Sequence, residues 1–150
     1  MNLEKALEEI GDSKKESIFF LLGIAKIAAK LLPSGARIIA NEAISFASNA
    51  LAGGDFGSKE LYDFANQANA RSLAFEEEYL QSSSEKSAIA IVVMAYYFLI
   101  WITSESEGQS VPEDVELIKD FGFIGVVDYA RSNGVVDNKS LMSLIISMKE

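Results

Sequence analysis

Residues 88–102 read AIAIVVMAYYFLIWI, fifteen consecutive apolar side chains with no charge, glycine or proline among them. How this stretch is read decides the fold. A bilayer core is about 30 Å thick and takes roughly 20 helical residues. Fifteen residues at about 1.5 Å each span only about 22 Å. Adding Ser87 and Thr103 and Ser104 brings the uncharged run close to a spanning length. The flanks argue the other way, because they carry Glu85, Glu105 and Glu107 with Lys86 the only base, so the positive-inside signal is missing. The other apolar run, 18–32, is interrupted by Lys26 and Lys30 and makes a poor partner span. The stretch is therefore expected as the central helix, about 85–104, of a water-soluble bundle. Its apolar residues surround the helix, so neighbours are expected on all sides. Tyr96, Tyr97 and Trp101 then need partners for their polar tips, or must point them outward near the helix end.

Outward from this segment the punctuation is helical. Ser13 to Glu16 has the spacing of a capping box, in which serine and glutamate each satisfy an orphan amide. The helix it opens is expected to run to about Leu32 and stop at Pro33-Ser34-Gly35. A second helix follows from about Ala36 to Leu51, closed by Gly53-Gly54. Ser58 caps a long helix reaching about Leu80, with Leu61, Phe64, Ala65, Ala68, Phe75 and Tyr79 on one face. Ser82, Ser83, Ser84 and Glu85 start the central helix. Pro112, Glu113 and Asp114 open another. Gly122 is expected to break that helix before a segment ending at Asn133-Gly134, and Asp137 or Asn138 caps the last, Lys139 to Met148. No stretch alternates apolar and polar residues between hairpin turns. The expected fold is all-α: one domain over 1–150, a bundle of six to eight helices around the central apolar helix.

Composition narrows the chemistry. The chain has no cysteine and no histidine, which removes disulfides, thiolate chemistry, the usual zinc ligand and the commonest general base. Its start is acidic, with no apolar run behind a basic flank, so it does not read as a secretory signal and a cytoplasmic location is expected. The net charge of −9 argues against nucleic acid and acidic membrane surfaces, and favours a basic protein surface as partner. The same charge also serves plain solubility.

Few catalytic constellations remain possible without histidine and cysteine. Glu113, Glu116 and Asp120 lie at helical spacings of three and four, and Glu60 with Asp63 forms a second acidic pair. Helical nucleotide hydrolases hold magnesium on two such pairs with lysine or arginine close by for the phosphates. Here bases are sparse and no matched motifs recur at a regular separation. The glycines of FGFIG, 121–125, meet no base before Arg131, so no phosphate cradle is expected. Ser83 stands three before Lys86, a spacing that helix capping already explains. No catalytic residue, metal ligand or cofactor is expected.

Charge is distributed unevenly. Glu76, Glu77 and Glu78 form one acidic block; Glu105, Glu107, Glu113, Asp114, Glu116 and Asp120 form another, opposed only by Lys119. Residues 17–40, by contrast, carry three bases and no acid. If helices 58–80 and 85–104 run antiparallel, the two blocks sit at opposite ends, so 105–120 has to be judged alone. It carries −5 in sixteen residues. It serves either as a solvated connector or as an electrostatic landing site for a basic partner.

In these features, namely the acid-rich segments 76–78 and 105–120, the apolar helix 88–102 and a small chain without histidine or cysteine, the protein resembles the all-helical immunity proteins of bacterial contact-dependent inhibition and polymorphic-toxin systems. The resemblance covers the whole chain and rests on no signature motif. It implies a non-enzymatic inhibitor that neutralises a cognate basic toxin domain, such as a nuclease, by blocking its active site. The nine acids would then mimic phosphate, and exposed aromatic residues would supply the strongest contacts. A helical adaptor or regulator shows the same sequence features, and a metal-dependent nucleotide hydrolase is the enzymatic alternative.

Overall fold

Residues 2–52, 83–106, 108–111 and 113–149 are described by the structure, a computed structural model, and they form helices joined by short turns, with no strand among them. The elements are α1 (Leu3–Gly11), α2 (Lys14–Ala29), α3 (Ser34–Ala52), α4 (Ser83–Ser106), α5 (Glu113–Ser132) and α6 (Asn138–Lys149). The all-helical class and a largely buried apolar helix are as expected. The helix expected from Ser58 to Leu80, its Glu76, Glu77 and Glu78, the Gly53-Gly54 closure, Ser82, Glu107 and Pro112 lie outside the described residues.

Helix ends follow from side chains that satisfy orphan backbone groups. Ser13 Oγ accepts from the Glu16 amide at 3.2 Å, the expected half of the capping box. The reciprocal half is not made, because the Ser13 amide already donates to the Ile10 carbonyl at 3.1 Å, where α1 runs straight into α2. α1 itself is an element that the sequence reading passed over as an acidic start. Asn2 caps it, and Ala6, Leu7 and Ile10 turn inward. α2 stops at Ala29, three residues earlier than expected. Lys30, Leu31 and Leu32 donate three residues back, the tighter 3₁₀ pattern that often ends a helix. The Arg37 guanidinium donates twice to the Leu32 carbonyl, at 2.9 and 3.3 Å, and α3 begins there at Ser34.

Two glycines end helices in the same way. The Gly134 and Val135 amides donate to the Arg131 and Ala130 carbonyls, and the Gly108 and Gln109 amides donate to those of Glu105 and Ser104. Both patterns are Schellman motifs, with φ of 71° at Gly134 and 68° at Gly108, a backbone region that glycine enters without steric cost. Gly122 kinks α5, as expected.

Asp137 caps α6: its Oδ1 accepts from the Ser140 amide at 2.7 Å. That bond holds the Asp137 carboxyl below its ordinary value of 3.8, since protonation would forfeit it. The stabilisation is present above the unfolded-state value and is lost as pH falls through the lower folded one. An NMR titration is expected to place the Asp137 midpoint below that of an unstructured aspartate. An unshifted midpoint would mean the cap is not formed.

α4 lies between α2 and α5 and also meets α3. Ser87 Oγ at its start reaches Asn133 Oδ1 just beyond α5 (3.4 Å), so α4 and α5 run antiparallel. Lys14 at the start of α2 reaches Glu105 near the end of α4 (3.6 Å), so α2 and α4 are antiparallel too. Tyr96 Oη donates to the Ala40 carbonyl of α3 at 3.3 Å, giving one of the three polar tips its partner. α1 packs on α2 and α5, and α6 closes the assembly against α1 and α2. Phe20 and Phe123 stack obliquely at 5.7 Å, and Leu144 of α6 packs onto Gly23 of α2, where an added Cβ would stand 3.0 Å from it.

α4 is largely buried, as expected, though not equally on every side. Ile89, Ile91, Val92, Val93, Ala95, Tyr96, Phe98, Leu99, Ile100 and Ile102 are buried, but Ala90, Met94, Tyr97 and Trp101 are only partly so. These four recur at steps of four, three and four, which is one face of a helix. The helix is thus embedded, with one apolar stripe only partly buried, where Met94, Tyr97 and Trp101 still pack against the core. The sequence hides that stripe because every position in the run is apolar, so periodicity has nothing to contrast.

Candidate functional site

The partly buried stripe of α4 borders α5. Met94 and Tyr97 form one wall of an open groove, and Leu117, Ile118 and Phe121 form the other. Its volume is about 230 Å³. Leu117 is 73% exposed and Phe121 46%. Val115 and Ile118 on the same helix are buried and anchor it to the core. Leu117 and Phe121, four apart, therefore form a ridge along the edge of α5. Ile124, also exposed, follows just past the kink.

The kink shapes the groove. Gly122 has φ 74° and ψ 173°, outside helical geometry. A Cβ on Gly125 would stand 3.1 Å from the Phe121 ring, so this ring lies against the bare backbone of Gly125.

Beside the apolar ridge runs an acidic one. Glu113, Glu116 and Asp120 are all exposed, and their spacing of three and four places them in a row on the solvent side of Leu117. Lys119 is also exposed but falls on the far side of the helix from Leu117, two residues on. Three of the candidate partner-binding acids are thus brought together. Asp114 belongs to α5 by its backbone, with no description of its side chain, and Glu107, Glu76, Glu77 and Glu78 lie outside the described residues.

Glu105 has a different setting. It accepts a hydrogen bond from the Trp101 indole N–H and pairs with Lys14 Nζ at 3.6 Å. The same Nζ lies 5.6 Å from the Trp101 ring centroid, and Phe98 meets that ring edge-on at 5.0 Å. Glu105 therefore finishes the stripe of α4 by tying it to α2. Lys14 and Glu105 are 57% and 40% exposed, so their pair contributes at most about 1 kcal/mol. Glu105→Ala is expected to leave unfolding free energy within about 1 kcal/mol of the parent. It should nonetheless shift the fluorescence of Trp101, the chain's single tryptophan. An unchanged emission spectrum would show that the indole does not meet the carboxylate in solution.

A second hollow, of about 110 Å³, opens between α1, α2 and α6, lined by Glu9, Glu16, Lys149 and the apolar Ala6, Ile10, Ile145 and Met148. Among the described residues no three acids gather closely enough to hold a metal ion. The groove walls, Met94, Tyr97, Leu117 and Phe121, are what sequence reasoning missed. The signal it had was the pair Leu117 and Phe121, flanked on the same helix by acids.

Protein-family models, curated proteins and solved structures were all compared with the chain, and none matches it.

Proposed function

We propose that the protein is a non-catalytic cytoplasmic inhibitor of the immunity type, which binds a basic toxin domain and blocks its active site. The observation that carries this reading is the acidic row Glu113, Glu116 and Asp120 beside the exposed ridge of Leu117 and Phe121. An enzyme that handles phosphates presents lysine and arginine at its active site, and a row of carboxylates occupies such a site as the phosphates would. Charges of this kind speed encounter and fix orientation, and the neighbouring apolar side chains supply the area removed from water.

The test is protection. Cells producing a toxin domain encoded next to this gene are expected to grow when the protein is co-produced. Changing Glu113, Glu116 and Asp120 together to Lys should abolish that protection, slow association and remove most of its salt dependence, with helicity intact by circular dichroism. Protection by the triple variant equal to the parent's would overturn the assignment of the site, and no protection against any neighbouring toxin would overturn the function.

A further inference from the structure

We infer that the groove between α4 and α5 receives an amphipathic basic helix of the partner, apolar face inward and lysines or arginines outward against Glu113, Glu116 and Asp120. This rests on the reading above that the partner is a basic protein, and it names the element by which that partner is held.

The shape of the site argues for a helix. The groove spans about one turn of each helix, walled by Met94 and Tyr97 on one side and by Leu117 and Phe121 on the other. Residues three or four apart stand on one helix face about one turn from each other, so a helix laid along the groove offers side chains at the same interval as Leu117 and Phe121. The helices that carry the walls are anchored in the core. Ile118 is buried beneath, α4 is embedded along its other faces, and the Gly122 kink with the Gly125 backbone sets Phe121 in place.

Charge selects the occupant. Glu113, Glu116 and Asp120 border one long side of the groove, and Lys119 is turned away from it. A second copy of this chain seated there would set acidic row against acidic row in a molecule already at −9. An anionic lipid surface would meet the same repulsion. A helix with leucines, isoleucines or phenylalanines along one face and bases beside them satisfies both ridges at once.

The probe is a designed peptide of Leu and Lys, with leucines at i, i+3, i+4 and i+7, compared with its Leu/Glu counterpart and a shuffled Leu/Lys peptide of the same composition. The Leu/Lys helix is expected to bind the full-length protein, with NMR shift changes centred on Met94, Tyr97, Leu117 and Phe121. Leu117→Asp, at an exposed position where the fold tolerates it, should weaken binding at least tenfold with an unchanged melting temperature. Glu116→Lys with Asp120→Lys should weaken it and flatten its salt dependence. The Leu/Glu helix should not bind, and the shuffled peptide should bind only weakly. The inference is overturned if shift changes fall elsewhere, if the shuffled peptide binds equally well, or if the protein is a dimer that Leu117→Asp dissociates. Protection that survives Leu117→Asp but is lost on charge reversal would sink the groove and keep the inhibitor. Binding of the Leu/Lys helix without protection against any toxin would do the reverse.

Discussion

Leu99→Ala is expected to lower the unfolding free energy by about 2–5 kcal/mol, the range seen when a fully buried leucine loses its side chain. Leu99 is 0% exposed, in the middle of α4, the helix that packs on α2 and α5 and hydrogen-bonds to α3 through Tyr96. Alanine is at least as good a helix former as leucine, so the loss belongs to packing alone. Denaturant unfolding measures it, and the midpoint should fall with the slope unchanged. The result also bears on the membrane alternative. Ser83–Glu105 is long and apolar enough to cross a bilayer, with mean hydropathy 1.9, yet 72% of its most apolar window is buried inside the bundle. In a water-soluble bundle the parent protein is recovered without detergent, and the substitution destabilises it in plain buffer. Recovery in detergent alone, or a loss under about 1 kcal/mol, would show that Leu99 faces something other than these helices.

Gly122→Ala is expected to cost about 1–3 kcal/mol, the usual range for a non-glycine residue forced into a sparsely populated backbone region. With φ 74° and ψ 173°, Gly122 occupies a conformation essentially reserved for glycine. Nothing lies within 4 Å of the Cβ it would gain, so no clash contributes and the whole effect is backbone strain. Asparagine separates this site from Gly134. It tolerates the left-handed helical conformation at a helix C-terminus, so Gly134→Asn should be mild. Gly122, with its extended ψ, should lose as much stability to Asn as to Ala. Equal tolerance at both sites would mean the kink is not held. If α5 instead straightens, helicity rises, and Phe121 leaves its place over Gly125.

The elements readable in the sequence are those whose signals are local. Ser13 and Asp137 cap helices because a short oxygen-bearing side chain reaches an amide three residues on, and Gly134 ends α5 by its own backbone freedom. The row of Glu113, Glu116 and Asp120 was likewise legible, since spacing on one helix fixes a shared face. What stayed hidden depends on pairing between distant segments. The acids of α1 drew the eye away from Leu3, Ala6, Leu7 and Ile10, which hold helical spacing and face α2, α5 and α6. Nothing local pairs Glu105 with Lys14, ninety-one residues earlier in the chain, and only the antiparallel docking of α2 brings them together. The groove depends on which face of a uniformly apolar helix is the least buried, and no periodicity encodes that.

Arg131 donates to Glu4 at 2.7 Å across 127 residues of sequence, and its Nε donates to Asn138 at 3.2 Å. At a synthesis rate of about 5–20 residues per second, Glu4 leaves the ribosome roughly 6–25 seconds before its partner does. α1 therefore spends the whole of that interval without the α5 and α6 surfaces it packs on. Nine residues are too few to hold a helix unaided in water, so α1 has to form late, on a platform made by segments translated long after it. The nascent chain carries the apolar residues of α2 and α4 through synthesis before that closure, which makes the interval before release the period in which it is most exposed to aggregation and most dependent on chaperones.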